Sequence, residues 1–294
     1  MKQIMIRNNS KPTEIAPSSP WWKSISIEPV IFLYMLAIYI AIPTDEALLY
    51  REICSKFYNI SICDSLNQMK HNRSETFSTM ESLIQKSASI YMIYLNFVYS
   101  IPSIFISMIY SVWSEKYSHK IPLILSNLGC ILATIINLFV SIVRTNYSIE
   151  IFFLANFFLS LFGSTSTMVS IIYNYLLHIT TVENRTQRLA ILESCVMFGS
   201  TIGLILSGIL LDLTNFQWNC FVILSIHVMN IVYIVFFVQE VIDEQERMIS
   251  CTSFYRSLFV WNDIRNSWRA ICKKRRFNQR KYLLLALIGL LLSM

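Results

Sequence analysis

Two titratable side chains fall inside otherwise apolar segments of this chain: Glu193 and His227. A carboxylate at membrane depth is costly unless it is protonated, paired or facing water, so Glu193 reads as a functional-site candidate. Its other reading is interfacial, with the side chain snorkelling toward Arg185 or Arg188. His227 can relay protons or satisfy a local hydrogen bond. Asn96, Asn127, Asn137, Asn156, Asn174 and Asn230 place amides in four of the apolar segments. Such amides bond across helices or line a polar cavity, and spacing alone leaves both readings open. Neither HExxH, GxSxG, a glycine-rich phosphate loop nor an intramembrane acid pair is expected, which argues against an enzyme. No cofactor is implied, and the seven cysteines lack metal-ligand spacing.

The elements that must position these groups follow from where charge is absent. Of the 294 residues, 54% are hydrophobic and 14% charged, against about 25% charged in a soluble domain. Runs without Asp, Glu, Lys or Arg cover 29–44, 87–114, 121–143, 151–182, 194–211, 213–239 and 282–294. A helix needs about 20 apolar residues to cross the hydrocarbon core, and six runs are near or above that length. The expected spans are 29–49, 89–111, 121–143, 149–179, 189–211 and 218–239. This pattern describes an all-α, polytopic membrane protein embedded in a lipid bilayer. It excludes a soluble enzyme, a disulfide scaffold and a disordered chain. The net charge of +6 is read as cytosolic-loop bias and not as nucleic-acid binding.

With the N-terminus in the cytosol, inside segments hold 18 Lys and Arg and outside segments 6, as the positive-inside rule requires. The expected organisation is a cytosolic tail (1–28), a six-helix bundle (29–239) with an outer loop at 50–88, a basic cytosolic linker (240–281), and a short apolar stretch at 282–294. Sequons at Asn59 and Asn72 fall in the outer loop and are candidates for glycosylation. Within the linker, Phe254, Leu258, Trp261, Ile264, Trp268 and Ile271 suggest either an amphipathic helix on the inner leaflet or an ordinary basic connector. Gly199, Gly203 and Gly208 concentrate in span 5, and Gly199-Ser-Thr-Ile-Gly203 is a GxxxG. It reads as tight helix packing within one bundle, with homodimerisation as the alternative. Cys54 and Cys63 share the outer loop and can bridge each other if that loop is oxidised.

The turn Trp113-Ser114-Glu115-Lys116-Tyr117-Ser118-His119-Lys120-Ile121-Pro122 resembles the major facilitator superfamily loop G-x-x-[AS]-D-x-x-G-R-[RK] in its W-S-D-x-x-G-R-K-x-P form. That form is similar to the proton-coupled folate transporter and thymic stromal cotransporter family of solute carriers. Ile27-Glu28-Pro29, Pro43-Thr44 through Cys54, and Arg185-Thr-Gln-Arg188-Leu-Ala-Ile-Leu-Glu193 agree, as does the long first outer loop.

The resemblance implies an N-terminal six-helix bundle of 3+3 repeats and transport of a small organic solute by alternating access, with H+ as the coupling ion. It implies that Trp113, Ser114, Glu115, Lys120, Arg185 and Arg188 form a cytosolic gate, with Glu115 pairing with basic residues. It places Glu193 at a proton-coupling position, beside Asn156 and His227 as further pathway candidates. It also raises a second disulfide option, in which Cys54 or Cys63 pairs with a cysteine of a second half. The loop differs from the family pattern at Glu115, Ser118 and His119. Ala155-Asn156 stands where relatives carry Gly-Arg, which argues against a dianionic substrate. Transporters of this kind have two six-helix halves. Residues 282–294 are expected to be a truncated seventh helix, so the chain is expected to need a C-terminal half or a partner.

Overall fold

The computed structural model describes residues 27–58, 63, 75–116, 118–143, 148–163 and 165–239. Among the described residues, seven helices make six crossings: α1 (Glu28–Phe57), α2 (Glu75–Lys116), α3 (Lys120–Val143), α4 (Ser148–Phe162), α5 (Thr165–Ile179), α6 (Arg185–Leu213) and α7 (Phe216–Phe237). Six helical segments among these residues are long and apolar enough to cross a membrane, with α4 and α5 together forming one of them. The tail, the linker at 240–281, residues 282–294, Asn59 and Asn72 lie outside the described residues, as does the side chain of Glu115.

Local chemistry explains where these helices begin. Pro29 occupies the first turn of α1, where its missing N–H has no helical partner to lose, and Glu28 and Lys56 sit at the ends that the helix dipole favours. Ser118 stands where the family loop has glycine, and its Oγ accepts the Ile121 N–H at 3.4 Å. A serine cap thus starts α3 by satisfying one of the orphan donors of its first turn.

Three boundaries differ from the sequence expectation. Helix α1 runs on to Phe57 and α2 starts at Glu75, so the outer connection is much shorter than 50–88. Charged residues ended the apolar runs without ending the helices. The expected span 149–179 is two helices, because Gly163 adopts φ = +108°, a conformation that side-chain-bearing residues rarely enter. A Cβ at Gly163 would lie 2.8 Å from Ser126 Oγ, so the space also requires glycine.

Helix α1 packs most extensively on α6 and also on α7, while α4 and α5 pack on α2 and α3, and α3 packs on α7. Exchanging crossings 1 with 4, 2 with 5 and 3 with 6 maps this pattern onto itself, which is what 3+3 repeats demand. The α1–α6 seam is built on small residues. A Cβ at Gly199 would come within 2.8 Å of Phe32 O, and one at Gly203 within 2.8 Å of both Leu36 O and Tyr39 Cβ. The GxxxG therefore packs inside the bundle, and the homodimer alternative loses its surface.

Gly208 is different: nothing lies within 4 Å of a Cβ there. Five residues beyond Gly203 means about 140° around the helix, so Gly208 is not a packing glycine. Buried Ser207, four residues on from Gly203, continues the seam. At the other end of α1, Cys54 and Cys63 are joined by a disulfide with Cα atoms 5.9 Å apart.

Candidate functional site

A cavity of about 1070 Å³ opens along one side of the bundle, between α1, α2, α4 and α5. Helix α1 contributes Ile38, Ala41, Ile42, Asp45, Glu46 and Leu49, a stripe at three- and four-residue spacing that makes one helix face. Helix α2 contributes Met92, Leu95, Asn96, Tyr99 and Ser111, among others. Phe152, Asn156 and Leu159 come from α4, and Thr165, Ser170, Tyr173 and Asn174 stand out on α5. The size and mixed lining suit an amphipathic small molecule.

Hydrogen bonds hold the polar half of this lining in place. Asn174 Nδ2 donates to Ser111 Oγ at 3.2 Å, and Ser111 Oγ lies 3.4 Å from Ser170 Oγ. Tyr99 Oη accepts the Thr165 N–H at 3.3 Å, satisfying a donor exposed by the break at Gly163. Tyr99 is therefore a cavity residue, and Tyr110 is buried against the same break. Asn156 reaches the cavity while its Nδ2 donates to Phe152 O at 3.0 Å.

Asp45 and Glu46 are the functional candidates that sequence reasoning missed, and they correct the expectation of no intramembrane acid pair. They end the uncharged run 29–44, and although the expected span 29–49 encloses them, their spacing was not weighed as a site. Helix α1 continues twelve residues past Asp45, about three turns. Asp45 Oδ1 accepts a hydrogen bond from Asn137 Nδ2 of α3 at 2.9 Å. The available signal was the stripe spacing, since Asp45 lies four residues after Ala41 and four before Leu49.

The residues singled out from sequence are distributed over three places. Glu193 of α6 lies outside the cavity lining, but it accepts a hydrogen bond from Tyr173 Oη, and Tyr173 is a lining residue. Arg185 donates to Leu177 O at 3.5 Å. His227 is fully buried away from the cavity. Its Nδ1 is 3.0 Å from Asn127 Oδ1, which also accepts from Asn230 Nδ2 at 3.1 Å. Tyr34 stands edge-on to the imidazole with ring centroids 5.8 Å apart. This network ties α1, α3 and α7 together.

The expected gate residues gather where α1, α3 and α6 begin and α2, α5 and α7 end. Arg188 Nη2 is 2.9 Å from Glu28 Oε1, with both side chains nearly sealed from solvent. Lys120 Nζ donates to Val235 O at 3.3 Å, placing a cation on the negative end of α7. Trp113 and Ser114 are buried, and Ser114 Oγ donates to Ser111 O at 2.8 Å. His119 packs between Tyr175 and His178, with centroids 5.4 and 5.5 Å away. The Arg188 and Lys120 contacts join helices of the same bundle, so they stiffen it as a unit.

Comparison with known proteins gives a consistent picture. The family described as Major Facilitator Superfamily matches residues 29–294. The lysosomal proton-coupled steroid conjugate and bile acid symporter of Gallus gallus is 30% identical over 230 residues, 76% of this chain and 48% of that protein. Its Rattus norvegicus counterpart is 27% identical over 242 residues, 79% of this chain and 51% of that protein. The proton-coupled folate transporter of Rattus norvegicus is 20% identical over 221 residues, 74% of this chain and 46% of that protein. The chain spans about half the length of the curated relatives it matches.

Proposed function

Because this chain belongs to the Major Facilitator Superfamily, we propose that it serves secondary active transport of a small organic solute by alternating access, with H+ as the coupling ion. The observation that carries this reading is the amphipathic cavity between α1, α2, α4 and α5. It is large enough for a drug-sized ligand and is bordered by helices held through the α1–α6 glycine seam and the Glu28–Arg188 pair. The relatives whose names describe proton-coupled symport and transport support the class of mechanism.

Glu193 is the proposed proton site. Its carboxylate accepts from Tyr173, and Tyr173 also lines the cavity, so a change at Glu193 reaches the solute through one side chain. A protonated carboxyl becomes a donor, and the Tyr173 hydroxyl must then turn or lose its partner. Asn156 is a proposed solute contact. His227, fully buried in the α3–α7 network, is assigned a positioning role for those helices.

In this reading the N-terminus, Trp113, Ser114, Glu115, Lys120, Arg185 and Arg188 lie on the cytosolic side, and the Cys54–Cys63 disulfide lies on the oxidising side. The membrane is the plasma membrane or the lysosomal membrane. Replacing Glu193 with Gln is expected to flatten the pH dependence of solute uptake while leaving surface amount unchanged. Uptake by Glu193→Gln that still rises and falls with pH as in the parent refutes the proton role.

A second reading follows from coverage of about half of each relative: the 294-residue chain transports after a second six-helix half completes the cavity. Uptake by this chain alone is then expected to be absent and to return when a second half is co-expressed. Full uptake by the chain alone refutes it.

A further inference from the structure

We infer that the cavity selects an amphipathic organic cation, with Asp45 and Glu46 receiving a protonated amine and the rings of Tyr99, Phe152 and Tyr173 lying alongside it. The inference rests on the reading of the cavity as a solute site and adds the charge of the solute.

Among the described residues, the lining holds two acids and no Lys, Arg or His. The described basic side chains nearby are engaged elsewhere. Arg51 lies over the Phe216 ring at 5.3 Å, Lys56 is 3.9 Å from Glu150, and Arg188 holds Glu28. Lys120 and Arg185 bind backbone carbonyls of other helices or turns. An anionic solute would therefore enter next to two carboxylates with no lining cation to offset them, whereas a cation supplies the missing counter-charge. The Ala155-Asn156 pair fits this, since Asn156 faces the cavity where an arginine would have favoured an anion.

A second observation concerns how the acid is held. Asn137, buried behind the lining, donates its Nδ2 to Asp45 Oδ1 at 2.9 Å, which fixes the carboxylate while its remaining lone pairs stay available to an N–H donor. The three aromatic rings add faces that attract an ammonium group. The N-terminus of α5 also faces the cavity at Thr165 and Ser166, and a helix end carries a partial charge of about +0.5. That is smaller than two carboxylates, and the Thr165 N–H is already given to Tyr99, so the acids set the sign of the site.

The test is equilibrium binding to the purified chain in lipid nanodiscs with three matched probes: phenylbutylammonium, neutral phenylbutanol and anionic phenylbutyrate. The expected result is saturable binding of the ammonium at least about tenfold tighter than of either other probe. The preference should vanish in Asp45→Asn/Glu46→Gln and persist in Glu150→Gln, an acid outside the cavity. Charge-blind binding, tighter binding of phenylbutyrate, absence of ammonium binding, or an unchanged preference in the double variant overturns the inference. The comparison of probes on the parent chain stands even if the double variant fails to fold. Uptake is not read in this experiment, so a chain that binds the ammonium and moves nothing defeats the transport reading alone.

Discussion

The two long faces of α1 are built to opposite specifications. Toward α6 it meets Gly199 and Gly203, with backbone atoms 2.8 Å from where a Cβ would stand, and the seam ends in the buried Glu28–Arg188 pair. Toward α2, α4 and α5 the same helix turns Asp45, Glu46 and Ile42 into about 1070 Å³ of open space. The seam has no room to adjust, because backbone rather than flexible side-chain ends define it. The cavity is lined by hydroxyls and amides that can exchange partners. One helix therefore couples a rigid joint to a solute-facing surface, and substitutions should separate the two: seam variants lose fold, cavity variants lose selectivity.

The largest effect is expected at the seam's ion pair. Arg188→Ala leaves Glu28 buried beside an empty site, and breaking a buried pair costs about 3–5 kcal/mol. Thermal unfolding in detergent should show a marked loss of Tm, with part of it regained in Glu28→Gln/Arg188→Ala because no charge is then left alone. Equal loss in single and double variants would show that the pair is not what holds this end.

Next comes the glycine joint. Gly203→Leu forces a side chain against Leu36 O and Tyr39, and overpacking of this kind costs about 1–3 kcal/mol or more. Gly208→Leu, which points into open space, is expected to leave stability within about 0.5 kcal/mol of the parent's and so barely move Tm. If the two variants unfold alike, the seam is not the tight face.

The smallest stability effect belongs to the cavity. Asn174→Ala removes a hydrogen bond to Ser111 worth about 1 kcal/mol at most, so Tm should barely move while solute affinity changes. A stability loss matching that of Gly203→Leu would erase the distinction between the two faces.

Much of this architecture was legible in the residues. Charge-free runs located all six crossings because burying an unpaired charge in hydrocarbon is expensive for any fold. Gly199 and Gly203 meet the backbone of α1, since small residues permit backbone approach wherever they meet a second helix, while Gly208 does not. Asp45 shows the limit of that reading. The expected span 29–49 already held it within a helix, but only the rotation of α1 against its neighbours turns it toward the cavity. Gly163 gave little warning of the break in the fourth crossing, because one glycine in an apolar run is compatible with a continuous helix.

The asparagines show where sequence ends and tertiary structure begins. Six amides in apolar helices had to find polar partners, and that much follows from residue type and the low-dielectric surroundings alone. Which partner each one takes depends on how its helix is rotated. Asn96, Asn156 and Asn174 face the cavity, whereas Asn127 and Asn230 close the network around His227 and Asn137 holds Asp45. Composition and spacing thus determined a bilayer-embedded six-crossing bundle with polar groups that must be satisfied. The rotation of each helix, set by side chains on its neighbours, decided which polar groups hold the bundle together and which remain for a solute.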